Sequence, residues 1–389
     1  MPKRNRIQTL LPLAGLTLVL SGCLEPQPAP ELPERPVADF RLDVVADGLA
    51  SPWAAAALPD GGYLVTGKLG RLWRIEDGTV TELSGLPAEL TGLAENRIAT
   101  DGQGGLLDVA LAPDFARTGM VYLSYSYGDW DANGTALMRA RIDGDALVDA
   151  QTVFRAGPAK EAGSHFGGKI LVMADGSLLL SLGDAFSLRE EAQKPDSHLG
   201  SVVRLSPDGT AAPGNPSFGN GAMPELFTIG HRNVQGLAVD PATGEIWEHE
   251  HGPRGGDELN RLEAGANYGW PIATYGRDYQ GARISPTEDH AGFAAPAHVW
   301  TPSIAPSGLA VYRGALFPDW NGHALIGGLA SGDLRRVDPE TGDETVLLAD
   351  AKTDEDAFRV RDVDVEADGA VLLLVEDKEN GRLIRMLPR

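Results

Sequence analysis

Between Gly230 and Pro271 the chain reads GHRNVQGL, then EHGPRGGDELN, then GANYGWP. Arg232, Asn233, Arg254, Asp257 and Glu258 stand there among glycines and prolines, which make tight turns and present backbone groups. Charged groups held in stiff loops are how binding sites on rigid scaffolds are built. Arg232 offers a planar fork of donors suited to a carboxylate or a developing oxyanion. A salt bridge between structural units would use the same fork. The carbonyls of Gly252-Pro253, with Asp257 and Glu258, are hard oxygen donors of the kind calcium takes. Glu248-His249-Glu250-His251 invites a transition-metal reading. On a strand, however, the two His share one face and the two Glu the other, and the spacing is not that of a helical zinc motif.

Further groups lie far away in sequence. His165 sits in Gly163-Ser164-His165-Phe166-Gly167-Gly168, where flanking glycines leave the imidazole accessible. A neutral imidazole can take a proton near neutral pH. Asp184 ends the next apolar run, Ser181-Leu182-Gly183-Asp184, and could orient the ring. Arg359 and Arg361 alternate across Val360, so a strand puts both on one side. Two guanidinium groups lining a channel select an anion; on an open face they mean little.

These residues can meet only if the elements between them fold the chain into a ring. The periodicity is that of strands, with short Val, Leu, Ile and Tyr runs bounded by Gly, Asp and Pro. A degenerate unit recurs, in which an Asp or Pro-Asp turn leads into an apolar strand. It starts at Asp60-Gly61, Pro113-Asp114, Asp175-Gly176, Asp240-Pro241, Pro318-Asp319 and Asp368-Gly369. These six starts are roughly 50–80 residues apart, against ~40–50 for a propeller blade without insertions. The expectation is an all-β, six-bladed β-propeller over residues 39–389, with Phe40–Val45 pairing into the last blade to close the ring. Only Leu188–Leu199 suggests a turn or two of helix. A ring of this kind would bring Gln103, His165, Arg232, Gly252-Pro253, Leu329 and Arg361 to one mouth.

The N-terminus reads as an address. Lys3, Arg4 and Arg6 precede an apolar run, Leu10–Leu20, of signal-peptide length and short for a membrane span. Leu20-Ser21-Gly22-Cys23 then resembles the lipobox of bacterial lipoproteins. That resemblance implies cleavage after residue 22 and a lipid on Cys23; Leu24 in the following position implies outer-membrane sorting, facing the periplasm. Residues 23–38 are a Pro-rich, acidic spacer. Cys23 is the only cysteine, so no internal disulfide can form. Losing Lys3, Arg4 and Arg6 takes the formal charge from −22 to −25. A surface this acidic repels nucleic acid and anionic polymers and leaves a neutral small molecule as the better substrate.

Taken in order, the motifs carry a resemblance. GQGGLLDV from Gly102 with APDF from Ala112, then HFGG from His165, GHRNVQG, EHGPRGGDE, NYGWP and FRVRDV resemble the soluble, PQQ-dependent aldose sugar dehydrogenases over about residues 40 to 389. The resemblance implies the same six-bladed propeller and oxidation of an aldose at C1 to the lactone. His165 would be the general base, with the hydride passing to PQQ and onward to an external electron acceptor. Arg232 would stabilise charge on the quinone oxygen. Gln103, Asn233, Tyr279, Leu329, Arg359 and Arg361 match cofactor-contact positions. The Gly252 and Pro253 carbonyls would hold a calcium beside PQQ, and Glu258 and Tyr268 a second calcium. Two departures stand out. Ala330 occupies a position where the family commonly has a carboxylate-binding Lys, and Thr66-Gly67-Lys68 replaces a Glu-Arg pair, read here as structural. Two rival readings use the same architecture: a calcium-dependent lactonase using Glu258 or Asp257, and a non-catalytic binding propeller of the cell envelope.

Overall fold

The computed structural model describes residues 40–288, 291–349 and 358–389. The leader, Cys23 and the Pro-rich spacer lie outside the described residues. The described chain forms six four-stranded antiparallel sheets. Blade 1 comprises Pro52–Ala57, Tyr63–Gly67, Arg71–Glu76 and Thr79–Glu82. Blade 2 begins at Leu106–Leu111, blade 3 at Ile170–Val172, blade 4 at Val234–Val239, blade 5 at Pro306–Val311 and blade 6 at Val360–Val365. Each of these first strands lies against the first strand of the next blade, and that of blade 6 against that of blade 1. The ring closes through Phe40–Leu49, which pairs antiparallel with Gly381–Pro388 as the fourth strand of blade 6.

Each of the six turn signals precedes the second strand of its own blade: Tyr63–Gly67, Met120–Gly128, Leu178–Leu182, Ile246–Glu250, Ala324–Gly328 and Val371–Val375. Five of these strands read as largely apolar runs because both faces are covered by neighbouring blades; Ile246–Glu250 is the exception and carries Glu248, His249 and Glu250. Leu372 and Leu374 pack toward blade 1, while Val371, Leu373 and Val375 pack toward blade 5. The core is therefore a set of slabs, with an apolar cluster at each of the six blade interfaces. Period-2 alternation assigns each side chain to one slab or the other.

The expected helical turn appears as a 3₁₀ segment at Arg189–Gln193. Further short helices at Ala88–Thr91 and Arg97–Thr100 leave no periodic trace in the sequence because each is four residues long. They stand just before Gln103. Across the channel, Lys169 of blade 3 bonds Asp362 of blade 6 at 2.9 Å and approaches Asp108 of blade 2 at 3.5 Å. This joins opposite sides of the ring through its centre.

Candidate active site

His165 follows the last strand of blade 2 and has a left-handed backbone (φ 55°). This conformation costs of order 1–3 kcal/mol for a residue with a Cβ. Three contacts hold it. Its N–H donates to Gln103 Oε1 (2.8 Å), and Lys160 Nζ donates to the carbonyls of Ser164 and His165. Gly183 also lets the His165 carbonyl approach; a Cβ there would lie 2.3 Å from that oxygen. The imidazole Nδ1 lies 2.6 Å from Asp184 Oδ1. Asp184 in turn accepts from Trp270 Nε1 (2.7 Å) and from the Phe186 N–H (2.8 Å). Burial pushes the Asp184 carboxyl up, but the His165 hydrogen bond and the charge of Arg232 hold it below the usual carboxylate range. An ionised Asp184 can only accept, so Nδ1 carries the ring proton. Nε2, engaged by no hydrogen bond among the described residues, is left as the basic atom. Burial lowers the imidazole's proton affinity; Asp184 opposes this and Arg232 adds to it.

Arg232 enters from the turn before blade 4. The Glu250 carboxylate accepts from its backbone N–H and from that of Asn233. The guanidinium donates to the carbonyls of His251 (2.8 Å) and Gly252 (3.0 Å) and to the Tyr279 hydroxyl (3.3 Å). It also lies 5.5 Å from the Trp270 ring. The Gly252-Pro253 turn is fixed by Asp257, whose carboxylate accepts from the backbone of Gly252, Ile304 and Ala305 and from the Ser303 hydroxyl. Asp257 is thus committed to holding loops. Phe186 and Tyr279 are half exposed beside His165, with ring centroids 5.9 Å apart.

A cavity of about 540 Å³ opens at the same mouth. Gln103, Asn233, Leu329, Arg359 and Arg361 line it, whereas His165, Arg232, Gly252, Pro253 and Tyr279 are not among its lining residues. Asn233 Oδ1 accepts from the Gly167 N–H, and Arg359 donates to the Leu329 carbonyl (2.9 Å). Arg361 lies 4.5 Å from the Trp53 ring. Lys68 and Lys378 add two more cations to the wall. Ala330 brings no charge; its N–H donates to the Ile304 carbonyl.

A second, buried cluster stands behind Arg232. Glu248 and Glu250 of one strand and Glu258 of its neighbour are buried with His231. His231 Nδ1 lies 3.6 Å from Glu248 and 3.4 Å from Glu250. Neither oxygen of Glu248 receives a hydrogen bond. Burial first, and repulsion from Glu250 second, push the carboxyls of Glu248 and Glu258 well up. Buried carboxylates with an orphaned member are a fitting donor set for a hard cation. An adjoining cavity of about 10 Å³, bordered by Glu250, Gly252, Glu258 and Tyr268, is about the size of one small ion. The Tyr268 hydroxyl is already bonded to the Arg261 carbonyl and the Glu263 N–H, so any oxygen it offers a cation is its carbonyl. His249 and His251 face the other way, toward the carbonyls of Gly308 and Pro306. Burial drives their pKa values down to about 4 and about 3.

Lys160, Trp53 and Trp270 are given no role by the sequence, Lys68 reads there as structural, and the Glu face of the EHEH strand is separated from the His face without being given a ligand. Only that last feature left a local signal, through the alternation itself. The others become site residues because distant loops converge.

The Glucose / Sorbosone dehydrogenase family model matches residues 49–385. The aldose sugar dehydrogenase YliI of Escherichia coli is 39% identical over 361 residues, covering 90% of this chain and 94% of that one. The apo crystal structure of the E. coli soluble aldose sugar dehydrogenase superposes with a TM-score of 0.80 at 37% identity, over 90% of this chain and 100% of that one. A PQQ-bound aldose sugar dehydrogenase from Streptomyces coelicolor superposes with a TM-score of 0.71 at 29% identity, over 90% and 99% of the two chains. With the ring, the His165–Asp184 pair and the cationic cavity in place, these matches lead to one conclusion: the chain belongs to the glucose/sorbosone dehydrogenase family.

Proposed function

We propose that this enzyme oxidises an aldose at C1 to the lactone, using PQQ and calcium. The observation that carries the reading is the linked set His165–Asp184–Trp270, drawn from the loops of different blades and set beside a cation-lined cavity. A tricarboxylate quinone fits that cavity on charge, since Lys68, Arg359, Arg361 and Lys378 outnumber Glu376 and Glu379 on its wall in a chain of net charge −22. When bound, PQQ supplies the hydride acceptor and calcium acts as a Lewis acid on it.

His165 Nε2 takes the proton of the C1 hydroxyl, and Asp184 steadies the imidazolium so formed. The Arg232 guanidinium would supply a fixed positive charge for an oxygen of the bound quinone. Gln103, Asn233, Tyr279, Leu329, Arg359 and Arg361 hold the cofactor. Gly252 and Pro253 offer carbonyls to one calcium, and Glu258 with Tyr268 to a second, supported by Glu248 and Glu250. Relatives support the cofactor: one is named a quinoprotein glucose dehydrogenase (27% identical) and another is PQQ-bound. A lactonase reading loses Asp257, both of whose oxygens are engaged by loop hydrogen bonds.

The assay is reduction of a dye acceptor by protein loaded with PQQ and calcium, over a panel of aldoses. Turnover should require PQQ, and H165A should lower kcat on the order of 10²–10⁴-fold. No reduction with any aldose, or lactone hydrolysis without PQQ, overturns the reading. We propose further that Cys23 carries a lipid anchoring the propeller at the outer membrane. C23A should then move the protein from the membrane to the soluble fraction; unchanged fractionation refutes the anchor.

A further inference from the structure

Lys68 and Arg361 are both cations of the cavity wall, and the frame around Lys68 is rigid. Its N–H donates to the Ser51 carbonyl and its own carbonyl accepts from the Leu106 N–H, both at 2.9 Å. The stem packs on Gly105, where a Cβ would lie 2.6 Å from Lys68 Cγ. The ammonium has three donors, and the hydrogen bond it makes among the described residues is to the Gly102 carbonyl, at 2.7 Å. No carboxylate of the described residues lies within ion-pair distance of Lys68 or Arg361. Arg361 is held by the face of Trp53 instead. Burial pushes the Lys68 ammonium down and the charge of Arg361 pushes it further the same way, while Glu376 on the same wall opposes both. Two partly desolvated like charges facing one cavity repel each other, and Glu376, which pairs with Arg359 rather than with either of them, offsets this only at a distance, so an anion seated between them is favoured. The nearby Arg359 already spends part of its charge on Glu376, 3.6 Å away.

We propose that Lys68 is a carboxylate-binding residue of this cavity, forming with Arg361 a two-cation clamp for one carboxylate of an anionic ligand. The clamp rests on the reading of the cavity as an anionic cofactor site and adds a residue of blade 1 to it. Lys68 touches the bound anion and takes no proton from the sugar.

The test is equilibrium binding to the calcium-loaded apo-protein by calorimetry, with two probes: PQQ, and benzene-1,2,4-tricarboxylate, which has the charge without the quinone. Removing one charge-assisted contact in K68Q should weaken both probes about tenfold or more. K68R should keep most of the affinity, and the unliganded melting temperature should stay put. K68Q binding within twofold of the unsubstituted protein overturns the clamp, as does a fall in the melting temperature with affinity unchanged, which would make Lys68 a tie for the Gly102 loop. Tricarboxylate binding that depends on Lys68, without PQQ binding, keeps the clamp and removes the PQQ reading; binding of neither probe removes both. Saturating PQQ should also shield Lys68 from reductive methylation in the unsubstituted protein, read by mass spectrometry. Equal modification with and without PQQ counts against the clamp independently of any variant's folding.

Discussion

His165 is useful as a base because its surroundings disagree. Burial and Arg232 favour the neutral ring, while Asp184 favours the charged one, and the balance lies below the ordinary imidazole value. The acid limb of kcat/KM should therefore fall below pH 6.5, where an unperturbed His titrates. In D184N the loss of a negative partner lowers proton affinity further, so the limb should move to still lower pH while kcat drops on the order of 10²–10⁴-fold. A pH–rate profile of both proteins decides this; a limb that moves up contradicts the assignment. His249 and His251 give a stability counterpart. Their folded pKa values, about 4 and about 3, lie below the unfolded one, so the unfolded chain binds more protons once the pH falls below 6.5. Each group therefore removes stability as pH drops from 6.5 toward its folded value, at up to ~1.4 kcal/mol per pH unit. H251Q, which keeps a donor toward Pro306, should flatten that slope in pH-dependent thermal melts.

At the scale of elements, the strand Ile246–Glu250 does two jobs through its alternation. One face sends His249 and His251 into blade 5; the other sends Glu248 and Glu250 toward Glu258 and His231. The Glu face also cradles the Arg232 turn through Glu250, so a cation bound by these carboxylates would act on the guanidinium position through that residue. Calcium should stabilise the protein, by about 2.7 kcal/mol at a hundredfold excess over its dissociation constant. E248Q, which replaces the carboxyl that lacks hydrogen bonds, should keep the melting temperature in chelator and lose most of the calcium gain. Equal calcium shifts in E248Q and the unsubstituted protein would place the ion elsewhere.

For the whole molecule, stability depends on closing the ring. Lys169 joins blade 3 to blade 6 through the channel, and Phe40–Leu49 completes blade 6. K169M strands Asp108 and Asp362 without their cation and should cost about 3–5 kcal/mol in urea unfolding. Leu373→Ala, which hollows the blade 5–6 slab, should cost about 2–5 kcal/mol. If K169M unfolds at an unchanged urea midpoint, the cross-channel pair is not a structural tie.

The chain by itself determined the blades, because each of six turn signals leads into a short strand buried on both faces, apolar in five and carrying the Glu-His-Glu alternation in Ile246–Glu250. Strand alternation likewise determined that Arg359 and Arg361 share a side and that His249 and His251 part from Glu248 and Glu250. The tertiary structure alone decided what each side faces. Lys68 looks like a surface residue after a strand, and becomes a cavity cation only when ring closure sets it beside Arg361, which is 293 positions away in the numbering. Trp270 reaches Asp184, and Lys160 the carbonyls of Ser164 and His165, through loops whose paths no local period encodes. The physical reason is that period fixes which face a side chain takes, whereas its electrostatic role depends on which distant charges closure brings within a few ångströms.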